Sequence, residues 1–221
     1  MTSDRLVRKA APAYRCRLVI MVKLPVAGRV KTRLAREVGV VEATRFYRSM
    51  CQTIVGMLGA QPFWETHLLV TPDTGLASAM LPGGPNRLVQ GRGDLGARMQ
   101  RPMQVLGPGP VCVMGTDIPA VGVTDVRQAF RLLGARDVVF GPAEDGGFWL
   151  VGMRRRPRLP NPYQGIRWSA GDTLDQVVHQ LDGYSIGLAA RHGDVDEACD
   201  LARFKALLGR RIRPVKKISS G

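Results

Sequence analysis

The chain has 221 residues, 45% of them apolar, and its 32 Lys and Arg against 18 Asp and Glu give a formal net charge of +14. The excess lies in three short stretches, because residues 1–17 carry +4, residues 154–158 carry +4 and residues 203–221 carry +7. Aromatic residues make up only 6% of the chain, which is few for a protein that stacks nucleic-acid bases. The charge therefore indicates basic ends around a nearly neutral body and argues against a nucleic-acid partner.

Length and cysteine usage narrow the class of protein further. A chain of this size buries enough surface for one core without disulfides, so we expect a single domain at 17–208 between basic tails at 1–16 and 209–221. The four cysteines are widely spaced and form no CxxC pair, which fits a reducing cytoplasm and argues against a zinc site. No apolar run approaches the roughly 20 residues that span a bilayer, so no membrane span is expected.

Short β-branched runs alternate with longer helical patterns, which predicts an α/β fold, a three-layer α/β/α sandwich on a mostly parallel sheet. The predicted strands are 17–23, 67–71, 87–90, 111–115, 137–141, 148–152 and 184–188. The predicted helices are 32–59 with a break near Gly39, 94–106, 124–133, 170–181 and 197–208. Thr124 is expected to cap the third helix, and Ser169 with Asp172 to form a capping box for the fourth.

The loop after the first predicted strand is rich in Lys and Arg and leads into a helix. Free amides at a helix start favour an anion, and positive side chains around them strengthen that preference. The loop lacks the GxxxxGK[ST] sequence of a Walker A motif, and a solvated basic loop is the alternative interpretation. If the loop binds the phosphates of a nucleotide, the expected contacts are Lys23, Pro25, Gly28, Lys31, Thr32 and Arg33, with Arg29 adding charge.

A carboxylate follows the fourth predicted strand, where Gly115 leads to Thr116 and Asp117. Ligands of open α/β sheets bind at the carboxyl ends of the strands, and oxygen ligands suit Mg²⁺ or Mn²⁺. Asp117 is therefore the first candidate metal ligand, and Asp194 and Asp196 are candidates to complete the site. A turn at Asp117 and ordinary helix caps at the later pair are the alternatives.

An acidic, glycine-containing segment joins the fifth and sixth predicted strands. A carboxylate at this edge could bind an acceptor hydroxyl or act as a general base, although Asp-Gly is also a favoured pair in hairpin turns. Glu144 and Asp145 are accordingly candidate catalytic residues beside Lys31, Arg33 and Asp117. An acceptor is expected to contact Gly146, Gly147, Trp168 and Ser169.

A further segment, residues 90–96, combines a flexible, glycine-containing loop with the start of the second predicted helix. Its GxGxxG match is weak evidence for a dinucleotide site when it stands alone. Backbone amides there could still contact a base or ribose, which makes Gly93, Asp94 and Gly96 candidate nucleotide contacts.

Taken in order, six segments resemble the conserved blocks of a small bacterial group of glycosyltransferase-A-like proteins. The blocks are KLPVAGRVKTRL, QGRGDLGARM, GTDIPA, GPAEDGGFWLVG, IRWS and DVDEACDL, within a match from about Leu18 to Leu201. The group is similar in turn to molybdenum cofactor guanylyltransferase, phospholactate guanylyltransferase and the wider nucleotide-diphospho-sugar transferases. The resemblance implies a glycosyltransferase-A fold, phosphate contacts from Lys31 and Arg33, and a divalent metal at Asp117.

Two short segments depart from the usual pattern of that group and put its acceptor specificity in question for this chain. Met21 and Val22 precede Lys23 where an aromatic residue is common, and Phe148 with Trp149 replaces a tyrosine pair. We expect a transferase that depends on Mg²⁺ or Mn²⁺ and uses a nucleotide-sugar or nucleotide donor, with a slight preference for glycosyl transfer to a small-molecule acceptor. Nucleotidyl transfer from a nucleoside triphosphate to a small phosphorylated acceptor is the alternative. A non-catalytic protein that binds a nucleotide or a nucleic acid is a weaker alternative.

Overall fold

The structure is a computed structural model that describes residues 13–195 and residue 200. Seven strands and five α-helices lie in this part of the chain, with one 3₁₀ turn at Asp73–Gly75. The strands are β1 (Arg17–Lys23), β2 (Glu65–Thr71), β3 (Asn86–Val89), β4 (Val111–Met114), β5 (Val138–Pro142), β6 (Phe148–Met153) and β7 (Ile186–Leu188). The helices are α1 (Thr32–Val38), α2 (Val40–Gly59), α3 (Leu95–Val105), α4 (Val123–Leu132) and α5 (Thr173–His179). Apart from residue 200, the predicted helix at 197–208 lies outside the described residues, as do most of the N-terminal tail and the whole C-terminal tail.

All seven strands form one sheet in the order β3-β2-β1-β4-β6-β5-β7. β1 pairs in parallel with β2 and β4, β2 with β3, and β5 with β7. Only β6 runs antiparallel to its neighbours β4 and β5. The mostly parallel sheet predicted from the sequence is therefore confirmed, and the segment at 143–147 joins β5 to β6 as a short hairpin.

Helices cover both faces of the sheet, which confirms the three predicted layers. Side chains along a strand alternate between the two faces, so Leu18 and Ile20 of β1 pack with α2 and α4, whereas Val19 packs with α3 and α5. All three side chains are fully buried, which explains why the run lacks apolar/polar alternation. Within the described ranges, no helix combines the length and the apolar character needed to cross a membrane.

The helix ends agree with the sequence at one position and differ at another. The break between α1 and α2 falls at Gly39, as predicted, where φ is 86° and glycine is favoured. The predicted cap at Thr124 is wrong, because α4 begins one residue earlier with Gly122 as its N-cap. The carboxylate of Asp125 accepts a hydrogen bond from the Gly122 amide at 2.8 Å, and this charged group takes the capping role instead.

The predicted capping box at Ser169 is also wrong. α5 begins at Thr173, and Ser169 has a φ of 63°, in the left-handed region outside the helix. The Thr173 hydroxyl donates to the Ala170 carbonyl at 2.7 Å, so a separate turn precedes the helix. Ser169 is thereby left at the mouth of a cleft rather than at a helix start.

Candidate functional site

A cleft of about 570 Å³ opens at the edge of the sheet where β1 and β4 end. Its walls come from the loops after these two strands, the β5–β6 hairpin, the first residues of α3, the segment before α5 and the chain after β7. This volume lies within the range of small-molecule sites. The sequence-predicted site residues that line it are Lys23, Lys31, Thr32, Arg33, Asp117, Asp145, Gly147, Trp168, Ser169 and Asp194.

Other sequence-predicted residues lie beside the cleft instead of in its lining. Pro25 is buried behind the loop after β1, and Gly28 forms an exposed turn with a φ of 76°. Gly93 has a φ of 111°, which a side chain would disfavour. Asp94 caps α3, because its carboxylate accepts a hydrogen bond from the Ala97 amide at 2.8 Å. These four residues therefore determine the conformation of the loops whose other residues line the cleft.

The remaining predicted residues mark contacts between neighbouring segments. A Cβ at Gly146 would lie 1.8 Å from the carbonyl oxygen of Gly171, so glycine allows the hairpin to approach the segment before α5. A Cβ at Gly193 would lie 3.0 Å from the carboxyl group of Glu144. Glu144 thus faces the chain after β7 rather than the lining. Asp196 lies outside the described residues.

Two predicted residues of opposite charge meet inside the cleft. The Nζ atom of Lys31 lies 2.9 Å from Oδ2 of Asp117. Lys31 has a φ of 45° and a ψ of 50°, a left-handed conformation that is uncommon for a residue other than glycine and that recurs at functional sites. Its side chain is only 7% exposed, against 37% for Asp117. A group that binds anions and a group that binds cations therefore lie side by side.

The cleft lining includes the uncharged hydroxyl groups of Tyr47 and Thr116, and the buried Cys51 thiol contacts Thr116 from outside the lining. The Tyr47 hydroxyl accepts a hydrogen bond from the Lys23 amide at 2.8 Å and donates one to the Lys23 carbonyl at 3.2 Å. Cys51 Sγ lies 3.7 Å from Thr116 Oγ1. Burial raises the pKa of the Tyr47 hydroxyl and of the Cys51 thiol, so both groups remain protonated. The charge of the site comes from the Lys, Arg and Asp side chains around these groups.

Replacing Tyr47 with phenylalanine removes both contacts with the Lys23 backbone and keeps the ring. Because a polar group that loses its buried partner costs about 1–3 kcal/mol, we expect the free energy of unfolding to fall by about 2 kcal/mol in urea denaturation. Tyr14→Phe, at a residue that is 66% exposed, is the control and should change it by less than about 0.5 kcal/mol. Equal stability of the two variants would show that the Tyr47 hydroxyl does not hold the loop.

A second carboxylate reaches the cleft because the chain after β7 continues beside β5. His192 forms a parallel bridge with Ala143, and the Val195 amide donates to the Asp117 carbonyl at 3.1 Å. Asp194, between these two contacts, lines the cleft together with Asp117.

The carboxylates of Asp117 and Asp194 show whether the cleft could hold the divalent metal expected from the sequence. Among residues 13–195 and 200, no group of three or more His, Cys, Asp or Glu is placed to hold an ion by itself. Mg²⁺, however, is often bound by one or two carboxylates plus substrate phosphates. Asp117 and Asp194, which both line the cleft, fit that kind of site.

Apart from the basic loop, the lining is largely apolar and aromatic. The indole Nε1–H of Trp168 donates to Asp94 Oδ2 at 3.4 Å, and its ring centroid lies 6.0 Å from that of Tyr163. A Cβ at Gly96 would lie 2.4 Å from the Cβ of Tyr163, so the glycine lets these rings pack on α3. The lining also includes Leu95, Met99 and Phe148.

Several lining residues were missed by the sequence analysis because they belong to regular elements. Tyr47 lies on the buried face of α2, where the apolar pattern predicts a core residue. The tyrosine hydroxyl on that face is the one sequence signal that could have identified Tyr47 as a site residue. Gln90 is buried at the end of β3, and its amide donates to the Leu69 carbonyl at 3.0 Å. The other missed residues include Val30, Met99 and Thr173.

Comparison with solved structures identifies the fold. A protein from Desulfovibrio desulfuricans G20, named provisionally as a nucleotide-diphospho-sugar transferase, aligns with 28% identity and a TM-score of 0.77 over 95% of this chain and 92% of that chain. CMP:2-keto-3-deoxy-manno-octonic acid synthetase complexed with CTP aligns with 13% identity and a TM-score of 0.57 over 90% and 100%. Rv0371c from Mycobacterium tuberculosis H37Rv, in complex with manganese, aligns with 17% identity and a TM-score of 0.51 over 87% and 98%. The fold is that of the nucleotide-diphospho-sugar transferases, as the six sequence blocks predict.

The chain also matches a sequence-family model. A family model described as "Uncharacterized protein conserved in bacteria (DUF2064)" matches residues 54–170, more than half of the chain. The matched range includes Asp117, the β5–β6 hairpin and Trp168. No curated protein matches the chain significantly.

Proposed function

This chain belongs to the bacterial protein family DUF2064, and we propose that it is a metal-dependent transferase that uses a nucleotide-sugar or nucleotide donor. One observation carries the proposal: Lys31 and Asp117 meet at 2.9 Å in the cleft at the carboxyl ends of the strands. This is where open α/β sheets bind their ligands. Transfer of a glycosyl group to a small-molecule acceptor is the reaction that we place first.

The donor phosphates are assigned to the basic side of the cleft, whose charge supports that assignment. Each charge-assisted bond to a phosphate contributes about 1.5–3 kcal/mol, so two or three bonds account for micromolar affinity before the entropic cost is subtracted. During transfer, the charge that develops on the phosphates is stabilised by Lys31 and Arg33. The basic residues that line this side are Lys23, Arg29, Lys31 and Arg33.

Asp117 and Asp194 are the groups that would hold Mg²⁺ or Mn²⁺, with Asp196 as a further candidate. When bound there, the ion would supply positive charge that offsets the negative charge on the phosphates of the donor. Asp117 and Asp194 both line the cleft, which supports the assignment. The donor phosphates would supply further oxygen ligands and complete the ligand set.

The acceptor is assigned to the side of the cleft formed by the β5–β6 hairpin and the segment before α5. In glycosyl transfer, the acceptor oxygen bonds to the anomeric carbon, and the bond from that carbon to the diphosphate oxygen breaks. The nucleoside diphosphate leaves with the electron pair, and Asp145 takes the proton of the acceptor hydroxyl. Glu144, whose carboxyl group faces Gly193, is assigned a positioning role. The acceptor contacts are proposed at Gly146, Gly147, Trp168 and Ser169.

Nucleotidyl transfer is the second candidate, and the number of basic residues favours it. Four Lys and Arg side chains line the donor side, which suits a triphosphate somewhat better than a diphosphate. In both reactions the base and ribose are assigned near Gly93 and Leu95, because Leu95 lines the cleft. Asp94 and Gly96, which the sequence also predicts as nucleotide contacts, are assigned a positioning role, since they hold Trp168 and Tyr163 on α3. The two candidates therefore differ in donor but share one site.

Isothermal titration calorimetry tests the proposal and separates the two candidates. We expect nucleotide-sugars to bind in Mn²⁺ at least tenfold more tightly than in EDTA, because the carboxylate pair contributes through the ion. Metal-dependent binding of nucleoside triphosphates alone would replace glycosyl transfer with nucleotidyl transfer. If neither donor class binds in Mn²⁺, the proposed function is wrong.

A further inference from the structure

The donor and acceptor sides of the cleft differ in charge and polarity. This difference restricts the chemical class of the acceptor. Whereas the donor side is basic, the acceptor side presents Phe148, Trp168 and the carboxylate of Asp145. Among the described residues that line the acceptor side, none is Lys or Arg. Arg167, next to Trp168 in the chain, is paired with Asp172 at 2.9 Å. An acceptor therefore meets aromatic surface and negative charge.

The carboxylate of Asp145, an exposed residue, is oriented by the turn in which it lies. Its Oδ1 atom accepts a hydrogen bond from the Gly147 amide at 2.9 Å, and Gly146 packs against Gly171 on the opposite segment. A carboxylate oriented in this way accepts hydrogen bonds from hydroxyl groups. It also repels a phosphate, and more strongly where water is excluded.

The ring of Trp168 is held as a platform. Its indole nitrogen is anchored on Asp94, and Tyr163 lies beside it. Gly96 beneath these rings leaves room for them to pack on α3. An indole held in this way offers a flat apolar face in the same cleft as the carboxylate of Asp145. The two residues lie on segments that meet where Gly146 packs against Gly171, which is an arrangement that suits amphipathic molecules.

We propose that the acceptor is a neutral, hydroxyl-bearing molecule with an apolar face, of which a sugar ring is the simplest example. The apolar face stacks on Trp168, and a hydroxyl donates to Asp145. This inference rests on the proposed function, because the acceptor side is defined relative to the donor phosphates. It selects against the phosphorylated acceptor that the nucleotidyl-transfer alternative assumes.

The indole N–H resonances of the protein provide the test. In the presence of Mg²⁺ and the nucleotide that binds in calorimetry, the full chain is titrated with methyl glycosides of glucose, mannose and galactose. The 6-phosphates of the same three sugars form the comparison set. We expect at least one glycoside to shift the Trp168 resonance and to bind at least tenfold more tightly than its 6-phosphate. Trp64, which is buried in the core and 6% exposed, should not shift.

Two variants separate charge repulsion from general damage. Asp145→Asn removes the repulsion, so the preference over the 6-phosphate should fall below about threefold. Asp175→Asn, at an exposed residue of α5 outside the lining, should keep the full preference. Sugar phosphates that bind as tightly as the glycosides overturn the inference, as does a Trp168 resonance that no glycoside shifts while the nucleotide binds. Loss of nucleotide binding itself overturns the proposed function and this inference together.

Discussion

Asp117→Asn is expected to abolish the metal dependence of donor binding while leaving the protein folded. The variant keeps the size of the side chain but removes the negative charge that lies 2.9 Å from Lys31 and that we assign to Mg²⁺ or Mn²⁺. One charge-assisted contact is worth about 2 kcal/mol, so donor affinity in Mn²⁺ should fall roughly 30-fold, to the value measured in EDTA. Calorimetry with and without the metal measures both quantities.

The same substitution should lower stability only moderately. Asp117 is 37% exposed, so solvent partly screens the ion pair, but Lys31 is only 7% exposed. Because asparagine keeps an oxygen that can accept from the Lys31 ammonium group, we expect a loss of about 1–2 kcal/mol in urea denaturation. Asp182→Asn, at an exposed residue outside the cleft lining, is the matched control and should retain metal-dependent binding. If Asp117→Asn also retains it, Asp117 is not a metal ligand.

The fold could be predicted from the sequence because its strands are covered on both faces. Unbroken apolar runs such as 18–20 mark buried strands wherever they occur, and the helical patterns between them require crossover connections. Helix starts were harder to place, since several residues compete for each cap. Asp125 reaches back to Gly122 at 2.8 Å, whereas neighbouring Thr124 has the more familiar capping side chain. Sequence alone does not decide between such neighbours.

The site could be predicted only in part, for a different physical reason. Lys31 and Asp117 each follow a parallel strand, so topology brings them to one edge of the sheet. Their direct contact across 86 positions of the chain has no local signature. Nor has the role of Tyr47, whose hydroxyl holds Lys23 from the middle of a helix. The residue type of a charged loop residue is enough to predict a chemical role. The role of a packed residue such as Tyr47 depends on which residues folding places beside it, so its residue type alone does not predict that role.

Gly146 is the position where a single added methyl group should do the most damage. Its φ of 85° disfavours any side chain, and an added Cβ would meet the Gly171 carbonyl oxygen at 1.8 Å. The Leu174 amide also donates to the Gly146 carbonyl at 2.9 Å, so the hairpin cannot move away without losing this bond. We expect Gly146→Ala to lower the free energy of unfolding by about 3 kcal/mol, from left-handed strain and steric overlap together.

Gly165→Ala separates the two causes, because Gly165 has a similar φ of 68° with nothing within 4 Å of an added Cβ. This control should lose about 1 kcal/mol from backbone strain alone, and urea denaturation of both variants gives the difference due to overlap. Since Gly146 adjoins Asp145, its replacement should also weaken glycoside binding at Trp168 while nucleotide affinity stays within about twofold. Equal losses of stability in the two variants would mean that the hairpin and the segment before α5 are not in close contact, and the acceptor side of the cleft would then have to be redrawn.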